Sequence, residues 1–271
     1  MIHIFRGGRT CKTGLFSVLA RLAVFSIATL VFSACATART PDAEAPHWSY
    51  EGETGPDNWY LLDPAYAIAR DGKAQSPVDI VTADLTADPG IGKPLISYSE
   101  TSFEVENNGH TIELTPVTDG NTISIDGEIY ALRQFHFHAP SEHSVDGKFF
   151  DMELHLVHGN EGGGLAVLAL MIAEGPVNET LAALFDNLPG EVGGEETEVK
   201  INLADIFTGA GTAYRYDGSL TTPPCSEGVK WTVYMPPITL SRAQIDAYLS
   251  IYNGNKRPVQ NRYGRPIYKA E

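Results

Sequence analysis

The chain has 271 residues, 43% hydrophobic and 20% charged, a globular composition long enough for one large domain or two small ones and unlike a disordered chain. Its 34 acidic side chains outnumber the 19 basic ones, for a formal charge of −15, which disfavours nucleic acid and anionic membrane surfaces as partners. Seventeen prolines and 26 glycines predict many turns and a β-rich chain.

Residues 1–35 read as an export signal. Arg6, Arg9, Lys12 and Arg21 precede a nearly unbroken apolar run, Leu22 to Phe32, and small residues follow it. The run is too short for a transmembrane helix, which needs about 20 apolar residues. Cys35 directly after Phe32-Ser33-Ala34 resembles a lipoprotein cleavage site, and would carry a lipid anchor. Ordinary cleavage after Ala36 or Ala38 fits equally well. Either way the expectation is an exported protein: periplasmic, held at the outer membrane as a lipoprotein, or secreted. Residues 1–34 carry four basic and no acidic groups, so the mature chain would hold 15 basic and 34 acidic residues, a charge of −19. Cys11 lies inside the leader and Cys35 at its end, leaving Cys225 as the one thiol of the domain, with no disulfide framework within it.

Residues 36–46 read as a linker and 47–271 as one domain. Thr111–Thr115 alternates as a strand does. Asn121–Ile125 runs into Asp126-Gly127, a hairpin turn signal. Tyr130–His138 alternates again, and after the turn signal Asp146-Gly147 so does Phe149–His158. Leu165–Ile172 is continuously apolar and predicts a buried strand, as does Trp231–Met235. Glu191–Glu198 reads as a solvated acidic loop. Helical pattern is confined to 178–188 and 241–252, the second opened by Ser241 as N-cap. The predicted fold is mainly β within the α+β class: one central, mostly antiparallel, twisted sheet with short peripheral helices.

Within Gln134-Phe-His-Phe-His138, His136 and His138 project from one face of a strand, because residues two apart share a face. His155, in Glu153-Leu-His-Leu-Val-His158, comes opposite them if the two strands pair. Three neutral imidazoles with a fourth position left open are the arrangement of a catalytic zinc. Gln134 and Glu153 stand two residues before His136 and His155 and can accept the remaining ring N–H groups, fixing the tautomers. His158 faces the other way and reads as structural.

These segments, with Ser141-Glu142-His143, Ser219-Leu-Thr-Thr-Pro-Pro224, His47-Trp48, Gln75-Ser-Pro-Val-Asp-Ile80 and Asn107-Asn-Gly-His110, together resemble the alpha carbonic anhydrases of bacterial type. The resemblance runs in order from Pro46 to about Arg262. It implies a sheet of about ten strands with Zn²⁺ at the base of a cone-shaped cleft, His136, His138 and His155 as ligands, and hydration of carbon dioxide to bicarbonate and a proton. It further implies that Thr221 donates to Glu142 and orients the attacking oxygen. Thr222, Val157, Val167, Leu220 and Trp231 would form the substrate pocket. Gln134, Glu153, Asn255 and His143 would support the ligands or Glu142. Tyr50, Asn108 and Glu113 would belong to a water network, and His110 would shuttle the proton, with its pKa raised by Glu113. Glu113 replaces the family's usual Asn or Gln, and Ala69 stands where many bacterial members have the cysteine that pairs with the position of Cys225. Two other readings, a catalytically silent relative used for binding and a zinc-storage protein, leave the complete set of histidines with Thr221 and Glu142 unexplained.

Overall fold

The computed structural model describes residues 46–270, apart from 89, 194–196 and 209–210. The export signal, Cys35 and nearly all of the linker lie outside the described residues. In chain order the strands are β1 Asp79–Ile80, β2 Thr86–Ala87, β3 Leu95–Ser97, β4 Thr101–Asn107, β5 Ile112–Pro116, β6 Thr122–Ile125 and β7 Glu128–His138. There follow β8 Ser144–Val145, β9 Met152–Gly159, β10 Leu165–Glu174, β11 Thr197–Ile201, β12 Thr212–Ser219, β13 Glu227–Leu240 and β14 Tyr268–Ala270. The α-helices are α1 Trp59–Leu62, α2 Ile68–Asp71, α3 Ala182–Phe185 and α4 Arg242–Leu249.

One 12-stranded sheet carries the fold, in the order β11-β4-β5-β7-β9-β10-β13-β12-β14-β2, with β3 and β6 branching from β7. It is wider than the ten or so strands expected. It is mostly antiparallel, with parallel pairs β10·β13 and β14·β2. The acidic segment ends as edge strand β11, where Glu198 pairs with Glu104 of β4.

The hairpin signal at Asp126-Gly127 is realised: both residues have positive φ, 54° and 84°, the geometry that favours Asp-Gly between paired strands. Asp146-Gly147 makes a similar turn, φ 49° and 75°, but closes a short excursion in which Val145 bridges Lys148. It does not join β7 to β9 directly.

Ser241 caps α4 as predicted, with its hydroxyl on the Gln244 amide and the Gln244 side chain returning to the Ser241 amide. The helix predicted over 178–188 shrinks to the four residues of α3. Pro176 precedes it and Pro189 follows it, and the Asn187 side-chain amide takes the carbonyl of Ala183. Proline and Asn offer the backbone alternatives to the helix, and here they prevail.

The sheet buries apolar side chains on both faces. One cluster contains Phe135, Phe137, Leu154, Leu156, Leu168 and Leu170. The other contains Val167, Ala169, Trp231 and Val233, with Val157 and Leu220 packed against it. This second face also carries the polar residues described next.

Candidate metal centre and its surroundings

Strands β7 and β9 pair antiparallel, His136 opposite His155 and His138 opposite Glu153. A β-bulge between Leu132 and Gln134 makes this possible. Before the bulge Leu132 pairs with His158, and after it Gln134 pairs with Val157. The extra residue flips the parity of β7, since side chains alternate with period two. Without it His136 would share a face with Leu154, and the three histidines could not meet. On the far side of β7, Glu113 of β5 lies opposite His136.

The facing nitrogens of His136, His138 and His155 lie within 4.8 Å of one another. His136 Nδ1 is 2.7 Å from Gln134 Oε1, and His138 Nδ1 is 2.7 Å from the backbone carbonyl of Asn255. A carbonyl only accepts, so both Nδ1 atoms donate, and both Nε2 atoms of the neutral rings are bare lone pairs. Those two Nε2 atoms nevertheless approach to 3.1 Å. His155 reverses the pattern: Nε2 donates to Glu153 Oε1 at 2.8 Å, turning Nδ1 toward the others. Burial first, and the neighbouring histidines second, push the pKa of His136 well below its ordinary value; burial chiefly lowers that of His138 against the opposing pull of Glu142. Converging neutral imidazole lone pairs with nothing to donate between them fit a zinc ion.

Glu153 is the hub behind the ligands. Its Oε2 accepts the backbone N–H groups of Glu142 and His143 at 2.9 and 2.8 Å. Its Oε1 takes His155 and also His143 Nδ1, at 2.7 Å. Burial opposes ionisation, but the facing His143 and His155 and their hydrogen bonds hold its pKa well below the carboxylate range. The His143 ring bridges Glu153 and the Tyr216 hydroxyl, 2.7 Å away, and so braces the carboxylate that accepts the Glu142 amide. Asn255 supports His138 through its carbonyl and not its side chain, which accepts from the Ala139 amide and donates to the carbonyls of His110 and Phe137.

Glu142 is fully buried. Its Oε1 accepts the Arg257 backbone N–H at 2.7 Å, a partner that no sequence signal announced. Its Oε2 has no hydrogen-bond partner among the described residues, so the Thr221–Glu142 bond implied by the resemblance is not made here. That oxygen faces the imidazoles, 3.5 Å from His138 Nε2 and 4.0 Å from His155 Nδ1. Thr221 and Thr222 lie in the hairpin loop between β12 and β13, closed by Leu220 N–H to Ser226 O and Cys225 N–H to Thr222 O.

The apolar wall follows from register. Val157, Val167 and Trp231 are successive partners across β9, β10 and β13 and so share one face, beside Leu220. Trp231 lies 4.9 Å from the His155 ring and donates to the Ser219 carbonyl at 2.9 Å.

His110 is half-buried, stacked flat on Trp48 with 3.7 Å between ring centroids, and 6.5 Å from exposed His47. Its pKa is lowered, by burial first and His47 second, which corrects the expectation of a rise driven by Glu113. Glu113 meets Asn108 at 3.4 Å and is itself raised, by burial and by Glu106. The Asn108 side-chain oxygen Oδ1 accepts the backbone N–H groups of His110 and Thr111. Tyr50 packs edge-on against Trp48 and Trp59, and burial followed by Glu142 pushes its pKa well up. Cys225 is a free buried thiol.

A trio of strand imidazoles, an ionised carboxylate behind one of them and an apolar wall beside them define a metal-centre enzyme built on a β-sheet. The family model of eukaryotic-type carbonic anhydrases matches residues 54–271. The chain is 42% identical to a carbonic anhydrase of Pectobacterium atrosepticum over 246 residues, which cover 90% of this chain and 98% of that one. A carbonic anhydrase of Nostoc is 36% identical over 256 residues, covering 93% and 96%. The solved alpha-carbonic anhydrase of Thermovibrio ammonificans, in complex with sulfanilamide, superposes with a TM-score of 0.78 at 37% identity, covering 82% of this chain and 99% of that one. The chain belongs to the eukaryotic-type, or alpha, carbonic anhydrase family, whose members are zinc lyases that hydrate carbon dioxide.

Proposed function

We propose that this protein hydrates carbon dioxide outside the cytoplasm, with zinc on His136 Nε2, His138 Nε2 and His155 Nδ1, Thr221 and Glu142 orienting the attack, and His110 carrying the proton away. The observation that bears most weight is the convergence of three imidazole nitrogens within 4.8 Å, two of them 3.1 Å apart with both partner ring nitrogens committed as donors elsewhere, an arrangement that a shared metal cation relieves. Zinc bound there would supply a Lewis acid that lowers the pKa of water to about 7, the value known for carbonic anhydrases as a class.

The residues supply the rest. Neutral ligands add no negative charge and leave the cation's full field to act on the attacking oxygen. Glu142 Oε2, buried and unpartnered, is the acceptor available to the Thr221 hydroxyl; a Thr221 that donates there presents its own oxygen as acceptor and fixes the direction of attack. Val157, Val167, Leu220 and Trp231 offer an uncharged substrate an apolar surface, with Thr222 at its edge. Each turnover adds water to carbon dioxide and releases one proton. Release to water from a group of pKa about 7 is limited to about 10³ s⁻¹, so a faster enzyme needs a nearby base. His110, half-buried and of lowered pKa, returns a proton to buffer readily.

Stopped-flow hydration of the His110→Ala protein tests the shuttle. Turnover in dilute buffer should fall toward about 10³–10⁴ s⁻¹ and recover with imidazole, while kcat/KM stays nearly constant; wild-type turnover in dilute buffer would remove His110 from that role. The leader and Cys35 support the extracytoplasmic reading. Mass spectrometry of the native N-terminus should find either acyl chains on Cys35 or a start at Thr37 or Arg39. An uncleaved cytoplasmic chain would contradict export.

A further inference from the structure

A buried chain of hydrogen bonds continues past Glu153 to the loop that carries Thr221. His143 Nε2 meets the Tyr216 hydroxyl at 2.7 Å. That hydroxyl meets Ser76 Oγ at 2.8 Å, and Ser76 Oγ accepts the Ser219 backbone N–H at 3.1 Å. Ser219 Oγ in turn accepts the Ser76 N–H at 2.9 Å and donates to the Leu220 carbonyl at 2.7 Å. Ser76, Ser219, His143 and Glu153 are fully buried and Tyr216 nearly so.

The direction of this chain follows from its ends. Glu153 already accepts two backbone N–H groups and the His155 Nε2–H, so it accepts from His143 Nδ1 as well. A neutral His143 then has a bare Nε2, which the Tyr216 O–H fills. With its proton committed there, Tyr216 accepts from Ser76, whose hydroxyl is oriented by the Ser219 amide. The fold leaves room for this: a Cβ at Gly218 would come within 2.2 Å of Ser76 Oγ and 2.8 Å of the Tyr216 ring, so a side chain there would force the two apart.

We infer that Tyr216 is a positioning residue, whose hydroxyl sets the direction of one hydrogen-bond chain running from the Ser219 amide through Ser76, His143 and Glu153 to His155. The inference rests on the ligand set proposed above. Through this chain the loop holding Thr221 and Thr222 and the metal ligand His155 are oriented together, and the His155 tautomer that bares Nδ1 is selected from both sides of Glu153.

Tyr98 gives an internal control, since its hydroxyl also meets a buried histidine, His158 Nε2, at 2.6 Å, away from the metal face. Zinc release from the purified holoprotein into excess chelator should be about ten-fold faster in Tyr216→Phe than in wild type, the lower end of what partners of metal-bound histidines contribute. In Tyr98→Phe it should be unchanged. Ser76→Ala keeps the Tyr216–His143 bond but cuts the chain before the loop, and should release zinc at a rate between those of wild type and Tyr216→Phe while the Ser219 amide exchanges its hydrogen faster. Nitrogen-15 spectra of the wild-type holoprotein should show His143 bare at Nε2 and protonated at Nδ1. A His143 protonated at Nε2, or equal effects of Tyr216→Phe and Tyr98→Phe on zinc release, would overturn the inference. If Tyr216→Phe does not fold, the His143 spectrum and the Ser76→Ala result decide. Should wild-type protein bind no zinc, the ligand set fails and not the chain's direction, which the His143 spectrum reads on its own.

Discussion

The two faces of the β7–β9 pair are both largely buried and use that burial in opposite ways, the polar one opening to half-burial at Gln134, His136 and Val157. On one face Phe135, Phe137, Leu154 and Leu156 are fully buried and touch other apolar groups. On the other, His138, Glu153 and His155 are nearly or fully buried too, yet each polar atom must have a named partner. A buried apolar side chain is stabilised by contact area, which many neighbours share, at roughly 25 cal/mol per Å². A buried polar atom without its partner costs about 1–3 kcal/mol. The apolar face is therefore redundant and the polar face is a list of specific bonds. Its unpaired members, the bare Nε2 atoms of His136 and His138, the bare Nδ1 of His155 and the facing Glu142 Oε2, are where the chemistry gathers.

Neighbouring residues on opposite faces should fail differently. His138→Ala should abolish zinc binding and lower carbon dioxide hydration by several orders of magnitude, read by metal analysis and stopped-flow assay. Full zinc occupancy in that variant would mean the polar face is not the metal site. Phe137→Ala removes a ring packed near Phe185 and Tyr248, at 5.5 and 5.8 Å. It should cost about 3–5 kcal/mol in denaturant unfolding, while the folded fraction keeps one zinc per chain. Loss of zinc from that folded fraction would show that the faces are not independent.

Much of this contrast is legible in the sequence. His136 and His138 stand at strand period, and the structure puts Gln134 and Glu153, each two residues ahead, on the ring nitrogens of His136 and His155. What the pattern does not display is parity. Tyr130 and Leu132 face the core at even positions and Phe135 and Phe137 at odd ones, and the shift between them is the trace of the bulge at Arg133 that makes the site. Long-range partners are hidden for a different reason. The Arg257 amide reaches Glu142 across 115 positions, and Tyr216 reaches His143 across 73. No local period encodes such contacts. The Thr221–Glu142 bond rests on resemblance alone: in the structure Glu142 Oε2 lies near the imidazoles and makes no hydrogen bond among the described residues. The predicted rise in His110 pKa weighed a nearby carboxylate and missed the desolvation that comes from stacking on Trp48.

A smaller effect concerns pH. His158, on the apolar face, has its pKa lowered to about 4, by burial above all. Because the folded value lies below the unfolded one near 6.5, the unfolded chain takes up this proton first. The contribution to stability is present above pH 6.5 and lost as pH falls toward 4, by about 3 kcal/mol at most. Unfolding free energies of wild type and His158→Gln should differ in slope over that window, and parallel profiles would mean that His158 is not held neutral. The least effect is expected at Cys225, whose thiol burial pushes up to about 11 against the opposing pull of Arg257. A thiol reagent should label it slowly in the native protein and fast in denaturant. Fast native labelling, or a disulfide-linked dimer on non-reducing electrophoresis, would place this sulfur at the surface.

The central claim is that the polar face exists to hold one catalytic zinc. Its most direct test is stopped-flow carbon dioxide hydration by purified protein stripped of metal and then titrated with Zn²⁺. Hydration should be absent at the start, rise linearly, and reach its plateau at one zinc per chain. Full activity in the stripped protein, or one tightly bound zinc without hydration, would contradict it.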